Sequence, residues 1–131
     1  KEYRSCDQLG VKIQVGDICY IDFGQAYLNE AGFQHFGLIL KIFNGKAFVV
    51  PMTSNPETYA QAYDEKNNVH GKQHLMRIGR IQGLYRESVL FLNDCKYINT
   101  ARIIDVKARI PKESLLFEKI TQRVIQCLLC E

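Results

Sequence analysis

Phe36-Gly37-Leu38-Ile39-Leu40-Lys41-Ile42-Phe43, Asn44-Gly45, Lys46-Ala47-Phe48-Val49-Val50 and Pro51-Met52-Thr53-Ser54 follow one another without a break. Two runs rich in Ile, Val, Leu and Phe flank Asn-Gly, the strongest short-range signal for a β-hairpin. The spacing predicts a hairpin with His35 just before its first strand and Thr53 and Ser54 just after its second. An antiparallel hairpin brings its two free ends together. One titratable imidazole and two hydroxyls therefore share one open end, which is a catalytic arrangement in outline.

Upstream, Val15-Gly16-Asp17 reads as a turn, and Ile18 to Phe23 as a strand of period two. Ile18, Tyr20 and Asp22 fall on one face, and Cys19, Ile21 and Phe23 on the other. Gly24 to Gln34 is a polar loop. Downstream, Asn55-Pro56 opens a loop to about Gln73 with no sustained period, and a loop that long in a small domain is usually functional or mobile. Leu75–Ile78, Ser88–Leu92, Lys96–Ile98 and Ala101–Ile110 read as further strands. From Pro111 the period changes. Leu116, Ile120, Val124, Cys127 and Leu128 recur at helical spacing, and Pro suits a first helical turn. The expected fold is mainly β with α: a small, partly open barrel of antiparallel strands closed by one C-terminal amphipathic helix.

The chain has 131 residues, which predicts one domain over 1–131, with 1–13 as an irregular N-terminal extension. Hydrophobic residues are 47% and charged residues 24%, ordinary values for a globular domain. No stretch is long and apolar enough to span a bilayer, and no secretory signal pattern opens the chain. The expected setting is cytoplasmic. A net charge of +3 permits nucleic-acid binding without demanding it. The five cysteines are odd in number, and Cys19 sits in an apolar run, which favours reduced thiols. Cys127-Leu128-Leu129-Cys130 is a single CxxC with no second pair, so no metal site and no cofactor is expected.

Three blocks together resemble the MazF/PemK family of toxin ribonucleases. Val15 to Phe23 resembles that family's opening strand. Glu30-Ala31-Gly32-Phe33-Gln34-His35-Phe36 sits where the family has Glu-Gln-Gly-x-x-Arg-Pro, and Val49 to Ser54 resembles its strand ending in Pro-x-Thr-Ser. Ser88 to Ile103 and the terminal helix follow in the family's order, so the likeness runs from about 14 to 129. The resemblance implies an SH3-like barrel, a homodimer, metal-independent cleavage of single-stranded RNA, and an antitoxin that blocks the active groove. It implies a catalytic role for Thr53 and places His35 where the family has its catalytic arginine. The hairpin block is also similar to ToxN/AbiQ toxins, whose antitoxin is RNA. A silent SH3-like module that only binds nucleic acid or protein is the third reading.

Cleavage without metal uses the ribose 2′-hydroxyl as nucleophile. It needs a base, an acid for the 5′-oxygen and charge stabilisation at phosphorus. Arginine serves mainly as a charge clamp, whereas histidine titrates near neutrality and can act as base or acid. His35 is therefore the candidate acid–base group, against the plainer reading of a loop histidine held by backbone. Glu30 is a second acid–base candidate or a solvated carboxylate. Thr53 and Ser54 are candidates to hydrogen-bond the phosphate. Arg77 and Lys96 read as phosphate-positioning cations or as surface charge. Tyr27 and Phe33, in the polar loop, are candidates to stack unpaired bases, while Tyr20 and Phe36 read as core.

Overall fold

The computed structural model describes residues 12–24 and 34–129. Its strands are β1 (Asp17–Asp22), β2 (Gln34–Phe43), β3 (Lys46–Thr53), β4 (Ala62–Tyr63), β5 (Lys72–Gly79), β6 (Ser88–Phe91), β7 (Lys96–Asn99) and β8 (Ile103–Arg109). Helix α1 (Pro56–Gln61) precedes β4, and helix α2 (Leu115–Leu129) ends the described chain. The Asn44-Gly45 turn joins β2 to β3. Asn44 has φ 58° and Gly45 φ 79°, so both central residues are left-handed, as the primed turn of a two-residue hairpin requires.

The strand order is β4-β5-β6-β3-β2-β1-β8, with β7 beside β3. All pairs are antiparallel except β4 with β5. The expected partly open barrel with a terminal helix is the observed architecture, and the sheet is not closed, since β4 and β8 are its two ends. Strand β3 is the hinge of the arrangement. One edge pairs with β2. The other pairs first with β7, over Lys46–Val49, and then with β6, at Met52 and Thr53.

The period-two reading of β1 holds, and each face has its own core. Ile18 joins Leu38, Val50, Met52 and Leu90 under Ile120 and Val124 of α2. Cys19, Ile21 and Phe23 join Ile39, Val49, Ile98 and Ile103 on the opposite face. A third, smaller cluster of Ala62, Leu75, Val89 and Phe91 lies with Tyr59 of α1 packed against it. Asp17, fully buried, ties the β1 end down. Its carboxylate accepts from the Gln14 amide and from Arg109 Nε, both at 2.8 Å.

Three expectations are corrected. His35 lies inside β2, paired with Ile21, because the ladder with β1 extends three residues past Gly37, to Gln34. The stretch 55–73 is not a featureless loop. Asn55 caps α1 through its side chain, which accepts from the Glu57 amide at 2.8 Å, and Pro56 opens the helix. Six residues are too few to print a helical period, so the sequence concealed it. Helix α2 starts at Leu115 and not at Pro111. Residues Pro111 to Ser114 form a turn, and Ser114 Oγ accepts from the Phe117 amide at 3.1 Å as the cap. Among the described residues, no helix is long and apolar enough to cross a membrane.

Candidate functional site

Four strands bring the polar candidates into one row. Ile21 pairs with His35 on one side and Ile103 on the other. Thr53 pairs with Val89, and Val89 with Arg77. Carrying the β2–β3 register two residues beyond Gly37↔Pro51 sets His35 opposite Thr53. Residues directly opposite share a face of the sheet. By that register His35, Thr53 and Arg77 share one face, with Thr53 and Arg77 on either side of Val89, about 10 Å apart. This face is the one that carries Ile21 and Phe23.

His35 is only 9% exposed. Its ring stacks on Phe23 with centroids 4.5 Å apart and planes inclined by 28°. Its Nδ1 lies 3.2 Å from the Phe36 carbonyl oxygen, and the Met52 carbonyl of β3 also faces the ring. Burial holds the imidazole below its ordinary pKa, and the two carbonyls oppose that shift only in part. The resting imidazole is neutral at physiological pH, which is the form a general base needs.

Thr53 is partly exposed at the end of β3. Its Oγ1 accepts from the Asn55 amide at 3.2 Å. That bond fixes the hydroxyl oxygen and leaves the O–H proton to be donated elsewhere. Arg77 is anchored as well. Its Nε donates to the Tyr59 carbonyl at 3.0 Å, and its guanidinium lies over the Tyr59 ring at 4.4 Å from the centroid. Helix α1 thus holds the guanidinium on the side of the row away from His35.

The remaining candidates are distributed as follows. Lys96 pairs with Val49, which puts it on the same face as Thr53 and about 13 Å along β3. Ser54, one residue past the strand, lines a hollow with Phe36 on the opposite face, so the two neighbouring hydroxyls do not converge. Glu30, Tyr27 and Phe33 lie outside the described residues. Tyr20 and Phe36 pack edge-to-face at 5.5 Å, and Phe36 packs against the first core.

Sequence reasoning passed over Arg102. Its Nη1 donates to the Asp22 carbonyl at 3.3 Å, and the guanidinium lies against Gly24. Ile103, the next residue, pairs with the same Ile21 that pairs with His35. Arg102 thus carries a permanent charge to the end of the sheet where His35 sits. Its local sequence, Thr100-Ala101-Arg102-Ile103, carries no signal of that placement.

Among the described residues, no three His, Cys, Asp or Glu side chains are grouped to hold a metal ion. Cys127 packs against the first core, and burial pushes the Cys95 thiol up to about 12. Cys95 therefore stays protonated and is no nucleophile.

No family model and no curated protein matches the sequence. Solved structures do match the fold. The crystal structure of MazF (Form-I) from Deinococcus radiodurans superposes with a TM-score of 0.62 at 15% identity, over 88% of this chain and 96% of that one. MazE-MazF (Form-II) from the same organism gives 0.59 at 14% identity, over 91% and 97%. The Mycobacterium tuberculosis toxin MazF-mt6 gives 0.56 at 12% identity, over 84% and 93%. The resemblance read from the sequence motifs is thus matched in backbone over most of the chain, which has the fold of the MazF toxins.

Proposed function

We propose that this chain is the toxin of a toxin–antitoxin pair and cleaves single-stranded RNA without a metal ion. The observation that carries the reading is the row of His35, Thr53 and Arg77 on one face of a MazF-like sheet. Neutral His35 takes the proton of a ribose 2′-hydroxyl. The 2′-oxygen attacks the adjacent phosphorus and the 5′-oxygen leaves, giving a 2′,3′-cyclic phosphate and a 5′-hydroxyl end. The same imidazole, once protonated, is the acid available to that leaving oxygen. Thr53 donates its hydroxyl proton to a phosphate oxygen, preset by the Asn55 amide. Arg77, Arg102 and Lys96 supply fixed positive charge for the strand. Likeness to MazE-MazF supports a protein antitoxin as partner; the homodimer is what the family resemblance implies, and an RNA antitoxin is the rival.

The test is cleavage of a mixed single-stranded RNA in EDTA by the wild type and His35→Gln. Gln fills much of the same space but cannot exchange a proton at neutral pH. The rate is expected to fall about a hundredfold or more. An unchanged rate removes His35 from the chemistry.

One observation favours a second reading. The His35 ring is 9% exposed and packed on Phe23, as a structural histidine would be. On that reading the module binds RNA and cuts nothing, and the wild type shows no cleavage in the same assay.

A further inference from the structure

Successive residues in a strand point to opposite faces. Three strands end together beside the row, and each contributes one residue to either side. His35, Thr53 and Val89 belong to the row. Their neighbours Phe36, Ser54 and Ser88 line a hollow of about 340 Å³ on the other face. That volume lies in the range of small-ligand sites. Its lining is apolar at Phe36 and Leu84 and polar at Ser54, Arg86, Lys107 and the buried Ser88.

The outer wall is the loop between β5 and β6. Gly83, at φ +103°, lets this loop close on β8, since a Cβ there would lie 2.8 Å from the Lys107 carbonyl oxygen. The tight approach carries Tyr85 outward, 97% exposed at the mouth. A second hollow of about 510 Å³ continues from the first through Gly83, Leu84 and Tyr85 to Arg80. Lys107 is engaged by Asp105 at 3.1 Å, whereas Arg86 and Arg80 form no ion pair among the described residues. An aromatic ring held in water beside uncommitted guanidinium groups matches the face and the phosphate of an unpaired nucleotide.

We propose that this hollow binds one nucleotide of single-stranded RNA flanking the cleaved bond, with its base on Tyr85 and its phosphate on Arg86. The proposal rests on the nuclease reading for the word flanking, because the strand reaches the hollow by passing round the common end of β2, β3 and β6. An apolar lining with two serine hydroxyls would make the site selective among bases.

The test is binding of a short 2′-O-methyl oligoribonucleotide, which cannot be cut, read by fluorescence anisotropy. Tyr85→Ala and Arg86→Ala are surface changes, checked for folding by circular dichroism. Each is expected to weaken binding at least about fivefold, with Tyr85→Phe close to the wild type. Arg86→Ala should also lower the salt dependence by about one unit of slope. Wild-type affinity in both alanine variants overturns the proposal, as does failure of the wild type to bind. Loss of a protein partner by variants that still bind the oligonucleotide gives the hollow to that partner, and also overturns it. The two readings fail separately. Active RNA cleavage with unaffected binding in both alanine variants discards the hollow alone. Weakened binding with no cleavage by the wild type keeps the hollow as an RNA site and discards the nuclease.

Discussion

His35 of β2 stacks at 4.5 Å on Phe23, the residue just past β1, a contact that the β2–β3 hairpin alone would not make. The contact does two things. It buries the imidazole, and the burial disfavours its charged form. It also ties the candidate acid–base group to β1, so that the geometry at Thr53 depends on three strands and not on two.

The first prediction concerns pH. The folded pKa of His35 is depressed, so the unfolded chain binds the proton more readily. Stability contributed by neutral His35 is complete above the unfolded value of about 6.5 and is lost as pH falls from there through the folded pKa. Thermal unfolding from pH 8 to 5 should show a fall in Tm below about pH 6.5. His35→Gln should flatten that fall. An identical profile in the variant would mean that other groups set it.

Arg102 holds the Asp22 carbonyl and lies against Gly24 at the end of the sheet near His35. Replacing it by Ala should weaken binding of an uncleavable single-stranded oligonucleotide about equally for all sequences, and lower the salt slope by about one. Arg102→Lys should restore most of the slope. Sequence-dependent losses would point instead to base contact.

Arg77 links the row to α1 through one hydrogen bond and one ring contact on Tyr59. Both are partly exposed, so Arg77→Ala should cost only about 1 kcal/mol in urea unfolding. Arg77→Lys keeps the charge and loses the flat stacking surface. It should bind RNA nearly as well as the wild type while remaining less stable. Equal loss of binding in both variants would show that the guanidinium shape, and not its charge, is read.

Gly16 has φ +97°, and a Cβ there would lie 2.3 Å from the Ile110 carbonyl oxygen. The Gly16 amide donates to Ile39 at 2.8 Å, and its carbonyl accepts from Ile110 at 2.8 Å. Gly16→Ala should therefore destabilise the fold by at least about 2 kcal/mol, measured as a shift in the urea midpoint. A smaller shift would mean that the β1–β8 end yields easily.

Much of this molecule is written in local pattern. Asn44-Gly45 sets the hairpin because few dipeptides accept two left-handed residues, and the alternation in β1 assigns its faces correctly. The stripe Leu116, Ile120, Val124 and Cys127 finds the face of α2 that covers the first core, whereas Leu128, read as part of it, is exposed. Helix α1 was hidden, because one and a half turns cannot establish a period and its cap bonds are local. The site was half legible. A hairpin predicts that His35 and Thr53 meet. It does not predict that Arg77, twenty-four positions later, falls in the same row, since that depends on β6 lying between β3 and β5. Nor does it separate Thr53 from Ser54, which the pleat sends to opposite faces, or bring Arg102 back to Asp22 across the chain. Backbone preference and hydrophobic period act over a few residues and can be read in order. Strand partnership is settled by burying both faces of the sheet at once, and only the folded chain decides it.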